Sequence, residues 1–245
     1  GDDVDAVHDP VQLGGSAVAW ADEVIVVDSG STDATVAIAR TKATRVIERG
    51  WPGYSDQKNF AADNASNEWV LSMDADERVT PALAQEIREL LTSGPRLKGY
   101  RIKRVSHYLG RWIRSTDWFP DYQLRLYDRR AGRWNGLKIH ESFQLNEGAP
   151  GVLTGEMEHY AYRNISHHLQ KIDAYTTLIA DQWVGEGRQT SLVAMAVHPW
   201  FAFVRNYILR RGFLDGTPGF VVSLLNSYYV FLKLAKLWER RHPQP

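Results

Sequence analysis

Between Glu23 and about Leu91 the chain alternates short apolar runs with amphipathic ones: "EVIVVD", "TDATVAIARTKA", "TRVIER", "YSDQKNFAADNA", "EWVLSMD" and "TPALAQEIRELL". The first, third and fifth read as buried strands and the others as helices. That order calls for a three-layer α/β sandwich with a mostly parallel sheet. Thr80-Pro81 gives an N-cap followed by proline at the first helical position. From Gly99 to about Tyr162 the texture changes to the strand-like pieces "GYRIKRVS", "YQLRLYD" and "VLTGEMEHYA", between turns rich in Trp, Arg and Gly. Beyond Asn164 the chain reads helical. The expected division is an α/β domain over 1–163, with 99–163 extending its sheet, and a helical region over 164–245.

In an open parallel sheet, ligands bind beyond the carboxyl ends of the strands. Two predicted strands end on acids there. "EVIVVD" closes on Asp28 and continues through "SGSTD", where Gly30 allows a turn. "EWVLSMD" closes on Asp74 and continues Ala75-Asp76. In extended geometry residues two apart face one side, so Asp74 and Asp76 are expected to address one ligand together. The plain alternative is a solvated turn. A D-x-D also arises about once by chance in a chain of this composition, and Asp3-Val4-Asp5 is such a match. The strand context and the parallel Asp28 turn set Asp74 and Asp76 apart from it.

At 245 residues the chain can bury a sizeable core. Lys plus Arg equals Asp plus Glu at 29 each, so no global field recruits nucleic acid, which is not an expected partner. The absence of cysteine excludes thiol catalysis, thiolate zinc sites and disulfides, and leaves oxygen and imidazole as metal ligands.

Taken in order and spacing, "VIVVDSGSTDAT", "QKNFAA" and "WVLSMDADERVTPAL" resemble family 2 glycosyltransferases of the GT-A fold. "PDYQLRLYDRRAGRWNGLKIHESF" and "RNYILRRGFLDGTPGF" narrow the likeness to lipopolysaccharide core β-glucosyltransferases. The resemblance runs from about Ala19 to Glu239. It implies that Asp28 receives the nucleoside of a UDP-sugar donor. It gives Asp74 and Asp76 the role of holding Mg²⁺ or Mn²⁺ against the diphosphate, where a hard cation suits oxygen ligands and neutralises charge on departing UDP. Lys58 and Asn59 fall where such sequences approach the nucleotide, with a solvated helix start as the alternative. Inverting transfer requires a base. The acceptor-side acids are Glu141, the preferred candidate, and Asp121, whose alternative is a salt bridge to Arg125. His140, beside Glu141, is a candidate third metal ligand, with a structural histidine as the alternative. Family members open with an apolar strand and a P-x-N-E turn, and Gly1 to Ser16 contains neither, so the first strand is expected to be missing.

The aromatic and basic stretch "HYLGRWIRSTDWF" reads either as a wall for a sugar acceptor or as core tryptophan. In the tail, Trp200, Phe203, Val204, Tyr207 and Ile208 form a helical stripe flanked by Arg205, Arg210 and Arg211. Such a helix either packs on the core or lies on an anionic membrane surface. Asn226, Ser227, Lys233 and Lys236 interrupt the most apolar segment before it reaches spanning length. With no signal peptide in the acidic N-terminus, the expectation is a cytoplasmic protein, peripheral on the inner face of the cytoplasmic membrane. Its expected acceptor is a lipid-linked or lipopolysaccharide saccharide. The competing expectation is a non-catalytic, membrane-associated protein that binds sugar or nucleotide.

Overall fold

The computed structural model describes residues 18–136 and 141–242. The expectation about a first strand concerns residues outside these ranges. The described chain divides into two compact units: residues up to Arg104 with Tyr122–His159, and Val105–Asp121 with Tyr160 onward.

The first unit begins with β1 (Ile25–Asp28), α1 (Thr35–Lys42), β2 (Arg45–Glu48), α2 (Tyr54–Asp63), β3 (Trp69–Leu71), β4 (Glu77–Val79) and α3 (Pro81–Ser93). It continues with β5 (Gly99–Tyr108), which runs on into the second unit. β6 (Arg111–Ile113) pairs with the end of β5 there. After it come β7 (Asp121–Asp128), β8 (Gly132–Trp134), β9 (Phe143–Leu145) and β10 (Gly151–His159).

The sheet is mixed rather than mostly parallel. β1 and β2 pair in parallel as a two-stranded sheet of their own. The larger sheet runs β3-β7-β5-β10-β4, and in it β3 pairs antiparallel with β7 and β4 with β10. The sequence pattern registers burial on both faces of a strand but not the direction of its neighbour.

α3 forms where expected. Thr80 Oγ1 accepts the Leu83 N–H at 3.2 Å as N-cap and donates to the Glu156 carbonyl at 2.8 Å. The inward stripe of α3, Leu83 and Ile87, packs with Ile102, Leu126, Leu153 and Met157. Each such buried side chain contributes about 2 kcal/mol. Helix and sheet approach closely at Gly155, where a Cβ would stand 2.7 Å from Leu83 Cα.

In the second unit, α4 (Ile165–Gly185) and α5 (Leu192–Val204) pack on α6 (Gly216–Arg241), α6 meets β6, and α4 reaches β5 through His168 Nδ1, 3.1 Å from the Tyr108 hydroxyl. A π-helical turn (Arg205–Leu209) and a 3₁₀ turn (Gly212–Asp215) join α5 to α6. Trp118 stacks on Tyr162 at 5.3 Å and Tyr162 on His168 at 4.0 Å. Trp118 is thus half-buried in an aromatic cluster of this unit. Trp112 meets His107 and Tyr160 edge-on.

Candidate active site

The first acid terminates β1. Asp28 is buried, and one carboxylate oxygen accepts the N–H groups of Gly30 (2.8 Å) and Ser31 (2.9 Å) while the other accepts the Ser31 hydroxyl (2.5 Å). Burial opposes ionisation, but these donors outweigh it and hold the carboxyl below the usual range. Gly30 has φ +101°, a conformation that glycine adopts at little cost. Asp28 thus shapes the turn after the strand.

Asp74 and Asp76 are not held in extended geometry. β3 ends at Leu71, and residues 74–77 form a turn closed by the Glu77 N–H donating to the Asp74 carbonyl at 3.0 Å. The Asp74 N–H returns a bond to Glu77 Oε2 at 2.9 Å. The two aspartates consequently meet different partners. Asp74 pairs with Lys58 Nζ at 2.9 Å and with Arg125. Asp76 lies 3.4 Å from His159 Nε2, at the end of β10. Burial would push the Asp74 carboxyl up, but Arg125 and Lys58 prevail and hold it at about 2.

Glu77, third in the acidic run, is a buried anchor. It receives Arg125 and Arg104, the latter at 2.9 Å. Arg125 is itself buried on β7 and bridges Asp74 to Glu77, with its guanidinium held even more firmly protonated than usual. Sequence reasoning read Glu77 as one more acid of the run, considered Arg125 only as a partner of Asp121, and did not bring Arg104 or His159 to this site. The available signal was an arginine on the apolar strand "YQLRLYD", which needs a buried counter-charge.

Lys58, from α2, joins two acids. Its Nζ lies 2.9 Å from Asp74, 3.2 Å from Glu141 and 4.5 Å from the Trp134 ring centre. Asn59 is spent on the backbone of β8: its side-chain amide donates to the Trp134 carbonyl at 3.2 Å and its oxygen accepts the Trp134 N–H at 3.0 Å. Asp121 opens β7 and belongs to the second unit, whereas Asp28, Lys58, Asp74, Asp76 and Glu141 all lie in the first. His140 lies outside the described residues.

Among the described residues no group of three or more His, Asp or Glu side chains forms a ready metal cage. Mg²⁺ and Mn²⁺ do not need one when a diphosphate completes the coordination, since one or two carboxylates then suffice. Asp74 is already engaged by Lys58 and Arg125, and Asp76 has one carboxylate oxygen facing the His159 imidazole, so both acids stand in the β3–β4 turn where such an ion would be held.

Residues 16–146 match the family model described as "Glycosyl transferase family 2". The chain belongs to glycosyl transferase family 2. The assignment extends beyond the matched segment, because relatives align over most of the chain. It is 31% identical over 228 residues, 89% of this chain and 83% of the other, to "Lipopolysaccharide core biosynthesis glycosyltransferase LpsC" of Rhizobium meliloti (strain 1021). It is 34% identical over 228 residues, 88% of this chain and 77% of the other, to "Uncharacterized glycosyltransferase RP128" of Rickettsia prowazekii (strain Madrid E). Among solved structures, the fold resembles "Mannosyltransferase PcManGT from Pyrobaculum calidifontis in complex with GDP-Man and Mn2+", with TM-score 0.52 and 13% identity over 93% of this chain and 83% of that one. This family 2 chain thus has the GT-A fold, and the β3–β4 turn with its D-x-D falls within the family match.

Proposed function

We propose that this family 2 enzyme transfers a hexose, with glucose as the first candidate, from a UDP-sugar to a saccharide acceptor such as lipopolysaccharide inner core, with inversion at the anomeric carbon. The observation that carries the reading is Lys58, shared between Asp74 and Glu141 beside Asp76. A cation pinned between carboxylates is poised to exchange one of them for a phosphate oxygen. In this reading the donor diphosphate takes over Lys58 and frees Glu141. Glu141 then accepts the proton of the attacking hydroxyl as the acceptor oxygen bonds to the anomeric carbon and UDP departs with the electrons of the broken bond. Asp76 holds the divalent ion, with His159 alongside, and when bound that ion supplies Lewis-acid neutralisation of the diphosphate. Arg125 positions Asp74, and Asp28 keeps the β1 turn in shape for the nucleoside.

The first unit is assigned the donor chemistry. The second is assigned to a lipid-linked acceptor at the inner face of the cytoplasmic membrane; the name of the Rhizobium relative supports the lipopolysaccharide core part of this reading. The decisive experiment measures UDP release with and without Mn²⁺ across a panel of nucleotide-sugars, with the anomer of the product read by NMR. Mn²⁺-dependent UDP release giving the inverted anomer is expected. Binding of UDP-sugar without turnover under either condition would instead make the chain a binding protein.

A further inference from the structure

α5 with its π-helical turn, and α6, are each long and apolar enough to cross a membrane, yet only 17% and 22% of their apolar windows are buried. A helix that was apolar because it formed the core would be mostly covered. On α6 the exposed residues Phe220, Leu224, Tyr228, Phe231 and Trp238 recur every three, four or seven positions, a single stripe along one face. α5 exposes Val193, Val197, Trp200 and Phe201. No Asp, Glu, Lys or Arg occurs from Gln189 to Val204 or from Gly216 to Leu232. Over the second unit as a whole, twelve Lys and Arg stand against seven Asp and Glu, in a chain that is neutral overall. An apolar face framed by surplus positive charge complements anionic lipid headgroups around an acyl-chain boundary.

Neither helix is free to thread through a bilayer. The junction between them is tied to the segment 105–121: Arg205 and Arg210 pair with Asp117, and Asp215 accepts the Ser115 hydroxyl (2.5 Å) and the Arg114 N–H (2.9 Å). The other end of α6 is tied to α4, with Lys236 on Asp173 (2.6 Å) and Arg240 on Asp181. Crossing would carry one of these polar assemblies into hydrocarbon. The Asp117 pairs also occupy two of the three arginines that the sequence offered to a membrane.

We propose that α5 and α6 lie flat on an anionic bilayer, with the Phe220–Trp238 stripe sunk into the acyl-chain boundary and neither helix spanning it. This rests on the reading of the second unit as the acceptor side, but its test needs neither donor nor acceptor. Full-length protein is floated with vesicles of phosphatidylcholine alone or mixed with phosphatidylglycerol. Binding is expected to the mixed vesicles, and F220S/L224S/F231S is expected to weaken it at least about tenfold with unchanged far-UV circular dichroism, whereas R205Q/R210Q weakens it less. Because the chain has no cysteine, L224C carries a unique environment-sensitive fluorophore. A nitroxide near the headgroup end of the acyl chain should quench it more than one near the chain terminus. Stronger quenching from the chain terminus would mean spanning and overturn the proposal. So would vesicle binding by the triple serine variant equal to wild type, or a dimer that dissociates in that variant while no vesicle is bound, which would give the face to a second copy. A protein that docks without transferring sugar sinks only the enzymatic reading, and one that transfers to a soluble saccharide without docking sinks only this one.

Discussion

At the scale of single residues, the acid run Asp74–Glu77 separates into three jobs. Asp76 is the proposed ion ligand, so Asp76→Asn is expected to reduce Mn²⁺-dependent UDP release by at least about 100-fold without altering the melting curve. Wild-type turnover at limiting Mn²⁺ would remove Asp76 from the role. Glu141→Gln should stop transfer yet leave UDP-sugar affinity in place, because a base acts on the transition state more than on the bound donor. If Asp121→Asn alone has that profile, the base is Asp121. Arg125 answers to stability. Arg125→Leu strands Asp74 and Glu77 with less counter-charge, at an expected cost of about 3–5 kcal/mol near neutrality. The Asp74 carboxyl is held at about 2 against an ordinary 3.8. Its stabilisation is therefore complete above the unfolded value and lost as the pH falls from there towards 2. Urea titrations should accordingly show the variant's deficit narrowing between pH 5 and about pH 3, and a deficit independent of pH would contradict the ion-pair account. The D-x-D was legible because carboxylates closing an apolar strand are conspicuous. Its division of labour was not, since a turn and an extended segment place the same three letters differently and only the fold brings Arg125 and Lys58 to Asp74.

At the scale of elements, what the sequence declared best was α3, whose cap, proline and apolar stripe all agree. β1 and β2 were equally plain as apolar runs. Strand direction in the larger sheet was hidden, since antiparallel β3–β7 and β4–β10 pairs join segments far apart in sequence and leave no local signature. Nor did the sequence disclose that α3 sits against β10 through Gly155. The Glu86 carboxylate accepts the Gly155 N–H at 2.7 Å and that of Thr154 at 2.9 Å, so strand and helix are also held by charge-assisted bonds. Gly155→Ala must push Leu83 away and is expected to destabilise the first unit by about 1–3 kcal/mol in urea unfolding. Unchanged stability would mean that α3 shifts without penalty.

At the scale of the whole molecule, the composition is evenly charged while its distribution is not, and the cationic surplus of the second unit accompanies its exposed apolar faces. A count of 29 against 29 conceals this. The second large-scale feature is the division of backbone bonding in the first unit: β1 and β2 bond to each other, β8 and β9 to each other, and β3, β7, β5, β10 and β4 form a separate larger sheet. Asp28 ends a strand of the small sheet, and Asp74 follows a strand of the large one. Local opening of a two-stranded pair requires fewer bonds to break than opening of the larger sheet, so the amides of β1 and β2 should exchange with deuterium sooner than those of β5 and β10. A donor that touches both acids would couple the two cooperative units. Its binding should then slow exchange in residues 25–28 and 45–48 far more than in the large sheet, which makes deuterium uptake by that short ribbon a gauge of donor occupancy even in a variant that has lost all turnover.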